Sequence, residues 1–379
     1  MSSGRRRIAA IAVLPAAVAL LAGVTAGLAR LGLSLPGSGH LAGLEHGGLM
    51  VGGFVATVIA TERAVSSPNP IALAVPTLSA SGAVAILIGM PVEVAAVLFA
   101  LSGTGLTVLL LTFLRRQLAA PLVVMTVGAL CWIGGNIAWL TDHPMSAVLA
   151  WWIAFLVLTI AGERLELTRF QPPSRARSAV LALAVVLLVT GAAGGLIDAG
   201  AGIVLLGIAV VLMGGWLLST DTARRTARRG GVATYAGVAL LAAYTWLLVA
   251  GSMFILGGLG PGGWDYDATI HAFFLGFVFG AIFAHAPIIF PAITHIEVRF
   301  TALFYLPLLV LHTSLALRVA SAPLESLALR QTGAVLNATA LLLLAAAMLA
   351  GVIGARARRT GGDDGHRVPV RAGIMRTDA

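Results

Sequence analysis

Apolar runs of about twenty residues follow one another along almost the whole chain, broken by short segments rich in glycine, proline or arginine. At a rise of about 1.5 Å per residue, such a run crosses the roughly 30 Å hydrocarbon layer of a bilayer. Twelve runs are predicted, at residues 8–32, 41–63, 69–90, 92–114, 119–140, 145–163, 178–197, 201–219, 233–258, 267–293, 300–321 and 331–354. The pattern predicts an all-α polytopic membrane protein, with a twelve-helix transmembrane domain over residues 1–359. Residues 360–379 are polar and read as a disordered cytoplasmic tail.

Three of these runs repeat a pattern. Span two contains Gly53, Phe54, Ile59 and Glu62; span six contains Ala154, Phe155, Ile160 and Glu163; span ten contains Gly276, Phe277, Ile282 and His285. In each, a small residue is followed by Phe one place on, Ile six places on and an ionisable residue nine places on. The three spans stand four apart, which predicts three four-helix arcs. Spans two and ten also carry a histidine near their first turns, His46 and His271.

Composition agrees with the membrane reading: 59% of the 379 residues are hydrophobic, 10% are charged, and the mean hydropathy is +0.99. The net charge of +9 would suit a nucleic-acid partner, but its placement argues for topology instead. Lysine is absent, so all 24 basic residues are arginine. Arg5, Arg6 and Arg7, Arg115 and Arg116, Arg164, Arg169, Arg175 and Arg177, Arg224, Arg225, Arg228 and Arg229, and Arg356, Arg358 and Arg359 fall on one side of twelve alternating spans. Only Arg30, Arg318 and Arg330 fall on the other. The positive-inside rule makes the rich side cytoplasmic, with both termini there, as in a bacterial-type inner membrane. The apolar part of span one, about 25 residues long, exceeds a signal-peptide core and reads as a retained span. The lone Cys131 reads as a small apolar residue.

An ionisable side chain within a bilayer costs at least ~2–3 kcal/mol, so each one asks for a reason. His46 and His271 would lie at similar depth near the outer face. Two neutral imidazoles facing each other can take both axial positions of a haem iron, or hold copper. The other reading is an interfacial histidine bonded to a neighbour. Glu45 either orients a ligand or faces outer water, and Met50 is either a soft ligand or packing. His40 and His143 are outer residues with the option of a second metal site. His271 and His285 are fourteen residues apart, which in an α-helix is about 3.9 turns and puts them on nearly one face. By the repeat, His285 shares a layer with Glu62 and Glu163. That layer is a metal or haem site, a proton path, or a set of ion pairs with Arg63 and Arg164. Pro287 and Pro291 should kink or end span ten, and His285 either serves the displaced carbonyls or ligates. His312, near mid-membrane in span eleven, is a candidate third ligand. His295 reads as solvated. Asn136, Tyr244 and Asn337 read as interhelical hydrogen-bonding groups.

No GxxxxGK[ST] loop and no CxxCH attachment is present, so any haem is held noncovalently, as haem b. With histidines on spans two and ten, the chain resembles the catalytic subunit of haem-copper oxidases and nitric oxide reductases. That resemblance implies low-spin haem ligation by His46 and His271. Spans six and seven lack the histidines that family uses for copper, so its binuclear chemistry is not expected and no complete catalytic motif is found. His46 through Phe54, and His271-Ala-Phe-Phe-Leu-Gly-Phe277, also resemble NnrS-type proteins, twelve-span haem- and copper-containing membrane proteins linked to nitric oxide stress. This chain has His46-Gly-Gly-Leu-Met50 where that family has His-Glu-Met. The resemblance implies a haem-binding, copper-binding or both, electron-transfer or nitrogen-oxide-protection protein, with the bilayer and a redox partner as its partners. Two alternatives remain open: a secondary transporter using buried His and Glu, and a cofactor-free structural protein.

Overall fold

Inside hydrocarbon the backbone has no water to bond, so an apolar run must satisfy its own N–H and C=O groups as a helix. The computed structural model describes residues 3–33, 45–168, 174–260, 262–294 and 296–361. His40, His295 and the tail from residue 362 lie outside the described residues.

Helix α1 is Ser3–Arg30, with a shorter apolar stretch, Leu14–Arg30. Among the described residues eleven helices long and apolar enough to cross a membrane follow. They are α2 (Gly48–Ser66), α3 (Pro70–Leu87), α4 (Val92–Arg116), α5 (Ala120–Leu140), α6 (Met145–Leu167) and α7 (Arg175–Gly194). After these come α8 (Ala199–Thr220), α9 (Gly231–Ile255), α10 (Trp264–Ala292), α11 (Ala302–Ala320) and α12, whose spanning part is Leu327–Ala357. The chain is an all-α polytopic membrane protein, and its short connections make most consecutive helices antiparallel neighbours. Several connections are set by local chemistry. Ser174 and Asp198 cap α7 and α8 by accepting from Arg177 N and Ala201 N, and Gly89 (φ 73°) turns the chain after α3. Helix α1 meets α2, α3, α10 and α12 and so joins the two ends of the chain.

Helix α6 is buried on every face through Ala154, Phe155, Leu156, Val157 and Leu158, the signature of a central helix. Helices α7 and α12 show most of their length to lipid. We call the end at which α2, α6 and α10 begin the upper end, and the end at which they finish the lower end.

Helices α2 and α10 depart from the uniform α-helix assumed from sequence. Directly after each histidine the chain enters a π-helical stretch, Gly48–Ala56 in α2 and Ala272–Phe279 in α10. A π turn takes an extra residue, so the angular register of everything below it changes. This is why His271 and His285 meet different helices: His271 faces His46 before α2, whereas His285 meets Arg164 of α6. Helix α10 also runs unbroken through Pro287 and Pro291 instead of ending there.

The π stretch of α2 packs through its glycines. The buried Phe99 ring of α4 lies between Gly52 of α2 and Gly82 of α3: a Cβ at either would stand 2.5 Å or 2.6 Å from it. Gly52→Ala is expected to cost about 1–3 kcal/mol by overpacking and to lower the melting temperature in detergent. Gly215→Ala in α8, where a Cβ meets nothing within 4 Å, should change it little, a contrast that thermal unfolding of both variants measures.

Candidate functional site

At the upper end His46 and His271 come together, with ring centres 6.4 Å apart and ring planes inclined by 31°. Each Nδ1 lies on a main-chain carbonyl: His46 Nδ1 is 2.6 Å from Gly23 O, and His271 Nδ1 is 2.7 Å from Asp267 O. A carbonyl only accepts, so both rings donate from Nδ1 and each neutral ring keeps its lone pair on Nε2. That is the tautomer and anchoring typical of a metal-ligating imidazole. The spacing fits as well. A metal–imidazole bond of about 2 Å on each side, plus about 1 Å from nitrogen to ring centre, gives roughly 6 Å between ring centres.

Both histidines line a cavity of about 280 Å³, close to the roughly 300 Å³ at which small-molecule pockets begin. Its walls are apolar, with Val24, Leu28, Val55, Phe274, Phe279 and Leu341 among them. Its charged groups are Arg30, Glu45, Asp267, Arg318 and Arg330. Glycines of α1 let His46 and Met50 close in: a Cβ at Gly27 would stand 2.8 Å from His46 Cε1, and one at Gly23 2.8 Å from Met50 Sδ. Met50 therefore packs on α1 at the cavity wall. Glu45 faces Arg30 at 3.9 Å and is partly exposed.

Above His271, toward the upper end, lies a buried charge cluster that sequence reasoning missed. Arg318 donates through Nε and Nη2 to the Asp267 carboxylate at 2.9 Å and 2.7 Å. Arg330 Nε stands 3.2 Å from the same carboxylate, and His271 Nδ1 is 3.4 Å from it. The sequence reading did not single out Asp267 as a charge partner. The usable signal was Arg318, a rare outer-side arginine inside an apolar run.

At the lower end the repeat-related residues form one layer. Arg63 of α2 donates to Glu163 of α6 at 2.9 Å, with Glu62 and Glu166 at 3.9 Å and 3.6 Å. Arg164 takes a different partner from the glutamates. It donates from Nε and Nη2 to Asp221, just beyond α8, at 2.6 Å and 2.8 Å. Tyr244 donates to the same carboxylate at 2.7 Å. Asp221 escaped sequence reading because it lies outside the apolar run.

His285 and His312 are not brought to the upper pair. His285 donates from Nδ1 to Ala281 O at 2.8 Å, so its Nε2 accepts from Arg164 at 3.1 Å; both nitrogens are used. His312 accepts from Trp246 Nε1 at its Nδ1 (3.0 Å), which places its proton on the buried Nε2 and leaves no lone pair for a metal. Among the described residues no three His, Cys, Asp or Glu side chains gather as a metal-ion site. His143 meets Thr141 instead. Asn337 is hydrogen-bonded to Ser314 across α11 and α12, while Asn136 bonds within its own helix to Trp132 O.

Asp221 tests the lower cluster. Burial pushes its carboxyl pKa up, but hydrogen bonds and charge from Arg164 and the bond from Tyr244 outweigh that and hold it below the usual carboxylate range. Its contribution to stability is therefore full above the unfolded value of about 4 and is lost as pH falls through the lower folded value. Asp221→Asn should cost about 3–5 kcal/mol at neutral pH by stranding Arg164, and the deficit against the native protein should shrink on acidification, read by thermal unfolding across pH.

A family model described as a domain of unknown function, DUF8744, matches residues 7–353. No curated protein and no solved structure matches the chain.

Proposed function

We propose that this chain, which belongs to the DUF8744 family, is a haem-binding membrane protein in which His46 and His271 supply both axial ligands to a noncovalently held haem b, and that it serves electron transfer. The observation that carries the reading is the facing pair itself: two imidazoles 6.4 Å apart, each anchored through Nδ1, at an apolar cavity. A lone copper ion is less well served, because among the described residues two imidazoles converge there and copper sites take further ligands.

Haem supplies one-electron chemistry when bound. The chain's residues do the rest. The carbonyls of Gly23 and Asp267 hold the Nδ1 protons and fix each ring's rotation. The apolar walls exclude water, and the Phe54–Phe279 ring stack (5.8 Å) lies between the cavity and the lower charge layer. His46 and His271 would both be engaged in holding the group, which favours electron transfer over nitrogen-oxide binding. By the arginine distribution the upper end faces outward from a bacterial-type inner membrane, with both termini cytoplasmic and a redox partner meeting the outer face.

Purified protein, reconstituted with haem if isolated without it, should show a Soret band with low-spin six-coordinate spectra. His46→Ala and His271→Ala should each abolish that signature, while His285→Ala and His312→Ala keep it. Identical spectra from all four variants, or a wild-type protein that takes up no haem but moves a solute in proteoliposomes, would reject the proposal in favour of transport.

A further inference from the structure

Helices α7 and α8 run antiparallel and meet closely at the upper end. There a Cβ at Gly191 would stand 2.7 Å from Leu206 N, and one at Gly202 would collide with the backbone of Gly195. At the lower end the same two helices stand apart. A Cβ at Gly215 of α8 would meet nothing within 4 Å, and the gap is bridged by Trp216, whose Nε1 donates to Arg177 O at 2.8 Å. The result is a groove of about 310 Å³, reaching the roughly 300 Å³ at which ligand pockets begin. Its apolar walls include Val180 of α7 and Val211, Leu212 and Gly215 of α8, and Arg177 and Ser219 stand at its lower rim.

Helix α7 lies on the outside of the bundle, and Val180 and Gly215 are exposed, so the groove opens to lipid. Its mouth is charged. Arg177 is exposed, and among the described residues its guanidinium forms no ion pair. A guanidinium donates two parallel hydrogen bonds to a phosphate. An apolar slot between helices with an arginine at the arginine-rich end of the bundle has the form that receives an anionic headgroup.

We infer that the groove between the lower halves of α7 and α8 is a binding site for one anionic phospholipid, with its phosphate on Arg177 and an acyl chain along Val180 and Gly215. The site lies at the end of the bundle opposite the histidine cavity, and the inference does not rest on the haem reading.

The experiment titrates the full-length protein in detergent with phosphatidylglycerol, with phosphatidylcholine of the same acyl chains, and with chain-free glycerol phosphate. Native mass spectrometry counts retained lipid, and thermal unfolding reports the fold. An arginine beside an anionic headgroup contributes about fivefold in affinity. Wild type should therefore retain one phosphatidylglycerol about that much more tightly than phosphatidylcholine, and should not retain glycerol phosphate. Arg177→Gln should bind the two lipids alike. Gly215→Leu, which grows into open space, should lose the retained lipid of either kind. Arg115→Gln, at the same end of the bundle on α4 and outside the groove, should match wild type. Equal retention of both lipids by wild type, or a loss in Arg115→Gln equal to that in Arg177→Gln, means diffuse surface attraction and overturns the inference. Tight lipid retained in Gly215→Leu, or glycerol phosphate bound as tightly as the lipid, overturns the groove as its seat. A dimer that Gly215→Leu disrupts, with no lipid retained, gives the groove to a second copy of the chain and overturns it too. Should Gly215→Leu fail to fold, Arg177→Gln against Arg115→Gln decides by itself.

Discussion

A polar group inside hydrocarbon can bond only to protein, and the arrangement of this bundle follows from meeting that requirement at two levels. At the lower end, charges from α2 and α6 close on each other and on Asp221, with Tyr244 of α9 and His285 of α10 completing the set. At the upper end, Asp267 gathers Arg318 and Arg330 while its backbone carbonyl fixes His271. Helix α10 is tied at both levels. Its two histidines are consequently in different chemical states: one presents a free lone pair to a cavity, and the other is spent on an arginine.

The contrast among the four half-buried histidines of the described helices lies in their tautomers. His46, His271 and His285 all give their Nδ1 proton to a carbonyl, and His312 does the opposite because an indole N–H claims its Nδ1. Of the three with Nε2 exposed to a partner, Arg164 takes one. Only a pair remains, and the bundle sets that pair face to face.

Much of this was legible in the sequence, because hydrophobic run length and arginine placement are direct physical signals. The offset pattern through Glu62, Glu163 and His285 was counted from inside the π stretches of α2 and α10, and the contacts of Arg63 and Arg164 tie these groups together at the lower end. The relation between His271 and His285 was not legible. It depends on the π stretch between them, and a π turn leaves no mark in hydrophobic period when every residue around it is apolar. Asp221 and Asp267 were missed as charge partners for a related reason: each stands at the boundary of an apolar run, where an acid reads as solvated or capping. Their importance comes from long arginines that reach them from other helices, a relation carried by tertiary packing.

The stacked rings of Phe54 and Phe279 have an effect beyond shaping the cavity floor. Between the two charged levels they interpose an apolar step. A wire of water or titratable groups through the centre of the bundle would short-circuit the electrochemical gradient that the host membrane maintains. An apolar step of this kind raises the cost of carrying a charge from one level to the other.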